Sequence, residues 1–385
     1  MAQDFTVDRD STKRVLGKNG VLVSYGTDEP AFEFNADGSY KGLLVEPAAT
    51  NLDTASSTVA AWIEINATIS ADQTTAPDGV ATSADSVLET IANDTHAIRQ
   101  DYTLGAGSYI FSCFVKSIGG RNFQLFPQEL GGGGSGGGAV RFDLSTGTVA
   151  SGTGTITEIG DGWYRVSGAA VTAGATGIRV IAYSVDGTAT TFAGDVTKGF
   201  YMWGMQVEAG PIATSYIPTT TASVTRAADD ITLGSASSLI GQTEGTLYVE
   251  VDWRLTSGTS QRIFVISDGT SDNVLQIYNR DSPIELRMLL NAGGGIDEVH
   301  QGQSSTNYSG IQKIAFAYKQ NDCELYRNGS SISSTTSADL SALATLTNID
   351  LGYPAAGEQA NMWIRAVALF PTRLSDAECE ALTTV

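Results

Sequence analysis

The chain has 385 residues, enough for two or three domains, with 42% hydrophobic and only 17% charged residues. Its formal net charge is −20, from 22 basic and 42 acidic side chains. No cluster of Lys and Arg interrupts that balance, so nucleic acid, which requires a basic footprint, is excluded as a partner.

Three cysteines, Cys113, Cys323 and Cys379, are odd in number and form no spaced pair, so neither a disulfide framework nor a zinc site is indicated. The opening "MAQDFTVDRD" is polar and reads as no signal peptide. No apolar run approaches the ~18 residues of a membrane span, so membrane insertion is not expected. With 43 glycines and few charges, the composition suits short strands joined by tight turns.

In chain order, residues 1–49 hold short alternating pieces around Gly20–Tyr25 and Ala31–Phe34, with "NADGSYKG" as a turn. They are too few for a core, so this segment is expected to dock on a neighbouring domain or on another chain. Residues 50–226 alternate apolar and polar side chains in "HAIRQDYTL", "GSYIFSCFVKS", "NFQLFPQ", "AVRFDLSTGTV", "GWYRVSGAAV", "TGIRVIAYSV" and "GFYMWGMQVEAG". Turn glycines divide these strands, the rhythm of an antiparallel sandwich or jelly roll. "GGGGSGGG", Gly131–Gly138, lies inside this series and reads as a hairpin loop rather than a domain linker.

The boundary falls at Pro218–Asp230, and residues 227–385 form a second strand series from "GTLYVEVDWRL" to "MWIRAVALFPTRL". Ser375, followed three residues later by Glu378, predicts a capping box that opens one short C-terminal helix. The fold class is therefore all-β: two antiparallel sandwiches in tandem, a short N-terminal β segment and a short terminal helix.

Four phrases, "GLLVEPAATNL", "FDLSTGTV", "GDGWYRVS" and "YMWGMQVEAGPIATSYIPTTTASVTRAAD", resemble a widespread kind of tailed-bacteriophage structural protein found in tail fibres or head appendages. The resemblance implies that residues 50–226 form a jelly roll like a carbohydrate-binding module. "KIAFAYKQNDCELYRNG" and "MWIRAVALFPTRLSDAECEALT" are similar to the concanavalin A-like lectin and laminin-G domains of phage fibres. A virion component assembled in the host cytoplasm is implied, with other virion proteins and host surface glycans as partners. Together with the coreless N-terminal strands, the resemblance implies a homo-oligomer, most simply a trimer.

Catalysis lacks its parts. Lectin-like sandwiches include glucanases, and "YVEVDWRL" places Glu250 and Asp252 on one strand face, but Arg254 and Leu255 stand where a second glutamate is required. No serine, histidine and acid form a defensible triad. No enzyme and no catalytic cofactor are expected.

Sugar binding needs exposed aromatics with amides and carboxylates beside them. Trp163 and Trp203 sit in regular strands and read as core, whereas Trp62 lies nearer an irregular segment; Tyr164, Tyr278 and Trp363 complete the aromatic set. His96, Ile98 and Gln100 share one strand face, with Ala97, Arg99 and Asp101 on the other. The candidate ligand residues are thus Trp62, His96, Gln100 and Tyr278. A structural Ca2+ is the one ion considered, with Asp53, Asp195 and Glu208 as candidate ligands and no linear loop motif. Two functional readings follow: host-glycan adhesion without chemistry, or an architectural module packing against its own copies or a fibre partner.

Overall fold

The computed structural model describes residues 5–131, 138–168, 170–173, 177–254, 260–280, 285–300, 310–352 and 359–385. Strands dominate throughout, and the capping box at Ser375 and Glu378 opens the single described helix, Asp376–Thr383.

The central sandwich packs a six-stranded sheet on a seven-stranded one. The first runs, in spatial order, Thr148–Ser151, Val140–Asp143, Asn122–Glu129, Ile178–Val185, Ala97–Tyr102 and Ile63–Ile65. The second centres on Gly107–Ile118 paired with Gly199–Ala209. Alternation aims Ile98, Phe123, Leu125, Phe142, Val180 and Ala182 inward against Phe111, Cys113, Val115, Phe200 and Met202. Asn122–Glu129 and Val140–Asp143 pair antiparallel, so Gly131–Gly138 connects neighbouring strands; residues 132–137 of it lie outside the described residues.

The C-terminal sandwich is built from two seven-stranded sheets, and the N-terminal segment supplies part of both. Thr6–Asp8 pairs with Asp230–Leu233 at the edge of one sheet. Tyr40–Val45 pairs with Met362–Phe370 in the other, and Phe32–Phe34 adds its last strand. Between them the hairpin Lys13–Leu16 and Leu22–Tyr25 stands where the two sandwiches meet. Leu16 and Leu22 pack on Phe114, Trp163, Trp203 and Tyr216 of the central sandwich. Val15 and Ala31 pack on Leu44 and Trp363 of the other. The apolar strands without a core of their own therefore find one inside the same chain, and they no longer argue for a second copy.

The chain crosses between sandwiches twice, and the crossings pair as Val224↔Asn51, Thr225↔Thr50 and Arg226↔Ala49. Beneath them lies a buried charge cluster. Asp229 accepts from Arg9 Nη1 at 2.9 Å, Lys13 Nζ at 2.6 Å and the Glu46 amide at 2.8 Å. Glu46 in turn lies 3.2 Å from Lys13 and 3.6 Å from Arg226, all with side chains at most 1% exposed. Burial alone would raise the Glu46 carboxyl, but Lys13, Arg226 and Arg254 overcome it and hold the group well below the usual carboxylate range. Asn51 completes the junction, donating to the Met205 and Ile217 carbonyls and accepting from the Val207 amide.

Candidate functional site

Only one face of each strand in the six-stranded sheet meets the core, so the other must meet something else or water. Register assigns that outward set. One row across the sheet reads Ile65, Ala97, Tyr183, Gln124 and Arg141. The next reads Ile63, Arg99, Ile181 and Phe126, and a third reads Asp101, Arg179 and Gln128. Antiparallel sheets with one solvated face normally fill it with polar residues. Here the outward set also holds the aliphatic Ile63, Ile65, Ala97 and Ile181 and two rings, Tyr183 and Phe126, each half-buried, on adjacent strands and adjacent rows. Burial raises the Tyr183 hydroxyl, so it stays protonated as donor and acceptor at neutral pH.

The polar groups around the two rings are fixed in place. Arg141 donates from Nη2 to Gln124 Oε1 at 3.1 Å, and its Nε is buried with no partner among the described residues. Asp101 is held bidentately by Arg179, at 2.7 and 2.8 Å. The two rings are diagonal neighbours bordered by guanidinium groups, the residue types that stack on a sugar face and bond its hydroxyls.

The residues expected to bind ligand are distributed differently. Trp62 is 7% exposed and belongs to the central core, which corrects the expectation of an exposed platform there. His96 is fully buried, its ring 2.7 Å from the Asn66 carbonyl and 3.2 Å from that of Phe192. It shares the inward face with Ile98, so the face of its strand that meets solvent is the one carrying Arg99 and Asp101. Gln100 is half-buried and bonds only the neighbouring Asp101 carbonyl, at 3.4 Å. Trp163 and Trp203 are core at 2% exposure each. Trp363 is buried with Lys41 Nζ 3.7 Å from its ring centroid and Arg254 Cζ 4.0 Å from it.

Tyr278 is half-buried on the outer face of the C-terminal sandwich, where it pairs with Arg262. Beside Arg262 opens a cavity of about 390 Å³ lined also by Thr232, Val265, Thr270, Asn348 and Asp350. Burial, then the neighbouring Asp230 carboxylate, pushes Asp350 up to about 6.

The three carboxylates considered for calcium do not converge. Asp53 accepts from Tyr102 Oη at 2.7 Å and the Ala55 amide at 2.8 Å. Asp195 accepts from Thr197 through both its amide and its hydroxyl. Glu208 is capped by Thr214 and Gln206. Among the described residues no group of three His, Cys, Asp or Glu is placed to hold a metal. In the strand Glu244–Trp253, Glu250 accepts from Arg365 Nε at 2.8 Å.

Tyr183, Phe126, Gln124 and Arg141 escaped the reading of the sequence. Their signal was present: Phe126 and Gln124 in "NFQLFPQ", Tyr183 in "IRVIAYSV" and Arg141 in "AVRFD" occupy the parity opposite to the core-facing Phe123, Leu125, Val180, Ala182 and Phe142.

No protein-family model and no curated protein matches the chain. Solved structures match parts of it. The carbohydrate-binding module CBM40 of the Ruminococcus gnavus IT-sialidase is 16% identical, covering 39% of this chain and 88% of that one with a TM-score of 0.34. A leech intramolecular trans-sialidase is 19% identical over 38% of this chain and 24% of its own, with a TM-score of 0.32. A botulinum neurotoxin type C structure, described by its interaction with two ganglioside molecules, is 12% identical over 40% of this chain and 39% of its own, with a TM-score of 0.34.

Proposed function

We propose that this protein is a non-enzymatic adhesin that binds surface glycan on the outward face of the central jelly roll. The observation that carries the reading is the pair Tyr183 and Phe126, half-buried at outward positions among Arg99, Gln124 and Arg141. Stacking on rings with polar groups at the edge requires no chemistry at the sugar. The resemblance to tailed-bacteriophage structural proteins supports a virion as the setting, with other virion proteins as neighbours. A single site of this kind gives a Kd of about 1 mM, so adhesion relies on several copies held together. A homotrimer, which the same resemblance implies, supplies that multivalency.

The architectural reading also has a specific support. Two of the phrases that carry the resemblance contain Glu46, Asn51, Arg226 and Asp229, the residues of the inter-domain junction. A glycan array probed with the intact protein separates the two readings. Adhesion expects retained glycans that are lost in Tyr183→Ala and Phe126→Ala with melting preserved; an empty array favours the architectural module.

A further inference from the structure

The outward face carries two cations, Arg99 and Arg141, that close no ion pair among the described residues, in a protein of net charge −20. Arg99 stands two residues from Asp101 on the same face, but Asp101 already gives both oxygens to Arg179. No carboxylate lies within salt-bridge distance of Arg99 among the described residues. Arg141 spends Nη2 on the neutral Gln124 amide and buries Nε, so its guanidinium has no carboxylate partner among the described residues. A guanidinium is a planar fork of donors matched to a carboxylate. Two such forks with donors to spare, on an otherwise acidic molecule, complement an anion.

We propose, resting on the glycan reading above, that the ligand is an acidic polysaccharide whose sugar carboxylates pair with Arg99 and Arg141 while the rings stack on Tyr183 and Phe126. The two arginines lie three strands apart and one row offset. At the ordinary strand and residue spacings this separates their Cα atoms by roughly 16 Å. One monosaccharide does not bridge that span with a stacked ring between the forks, so the occupant is an extended chain with recurring carboxylates. Uronate-containing capsular or exopolysaccharide has that chemistry.

The test uses the full-length protein in affinity electrophoresis through gels of polygalacturonate, alginate and hyaluronan. Each polymer is run beside its carboxyl-reduced derivative, and long-chain polyphosphate provides a non-sugar polyanion. The expected result is retardation by at least one uronate polymer that weakens with added salt. It falls about tenfold in apparent affinity on carboxyl reduction, and by a similar factor in each of Arg99→Gln and Arg141→Gln. Lys18→Gln, an exposed site away from this face with the same change in charge, is expected to match the unaltered protein, and melting curves confirm that all variants fold. Equal binding to the reduced polymers, or neutral glycans alone retained, overturns the charge pairing and leaves the glycan reading standing. Polyphosphate binding as tight as the uronates overturns the proposal by reducing the face to a general anion patch. No retention of any sugar, acidic or neutral, overturns both.

Discussion

Asp229→Ala removes one of the two buried anions of the domain junction, the one that Arg9 and Lys13 share. In the native protein Asp229 holds Arg9 at 2.9 Å and Lys13 at 2.6 Å, with side chains no more than 1% exposed. Arg9 keeps its bonds to the carbonyls of Ser11, Gly26 and Glu29, and Lys13 keeps the Leu44 carbonyl and Glu46. Those residual partners set the cost at the ordinary value for one broken buried ion pair, about 3–5 kcal/mol, rather than twice that. For a sandwich of this size each kcal/mol lowers Tm by roughly 2–4 °C, giving a fall of about 6–20 °C. Scanning calorimetry reads the fall. Hydrogen exchange adds the location, because the lost contacts tie residues 6–45 to the C-terminal sandwich and their amides should lose protection first. A Tm within about 2 °C of the native value, with protection of residues 6–45 unchanged, would refute the view that this cluster fastens the N-terminal segment.

Two further outcomes follow from burial. Trp62→Ala empties a site in the central core and should cost about 3–5 kcal/mol by chemical denaturation; unchanged stability would place the ring outside that core. Asp350→Asn tests a carboxyl that burial and Asp230 raise to about 6, against an ordinary value of 3.8. A raised carboxyl favours the fold while protonated, so stability falls as pH rises from about 4 to about 6. Allowing for partial exposure, the substitution should gain roughly 1–2 kcal/mol at pH 7 and nothing at pH 4. An equal effect at both values would show that Asp350 is not held in its neutral form.

Local patterns were legible before the fold was known. Strand alternation marked both sandwiches, and Ser375 with Glu378 announced the helix because a capping box lies within one turn. The N-terminal segment was not legible in the same way. Its pairing of Val7 with Ile231 and of Leu44 with Trp363 joins positions hundreds of residues apart, and no local signal encodes such a partner. For "HAIRQDY" alternation separated two faces but could not say which one met solvent. A buried histidine whose ring nitrogens lie against two backbone carbonyls looks, in sequence, like an exposed polar residue. Trp62 misled for the reverse reason, since an irregular stretch next to a sheet can still point its ring into the core. Conversely, Tyr183 and Phe126 stand in strands that alternation marked, but only the register shows them as diagonal neighbours on the outward face.

Hydrogen–deuterium exchange of the intact protein, with and without a glycan retained on the array, tests the central claim most directly. The account predicts new protection concentrated in residues 97–102, 122–128 and 179–183, the strands that carry Arg99, Phe126 and Tyr183. Protection centred on Thr232, Arg262 and Asp350 in the C-terminal sandwich, with the jelly-roll strands unchanged, would contradict it.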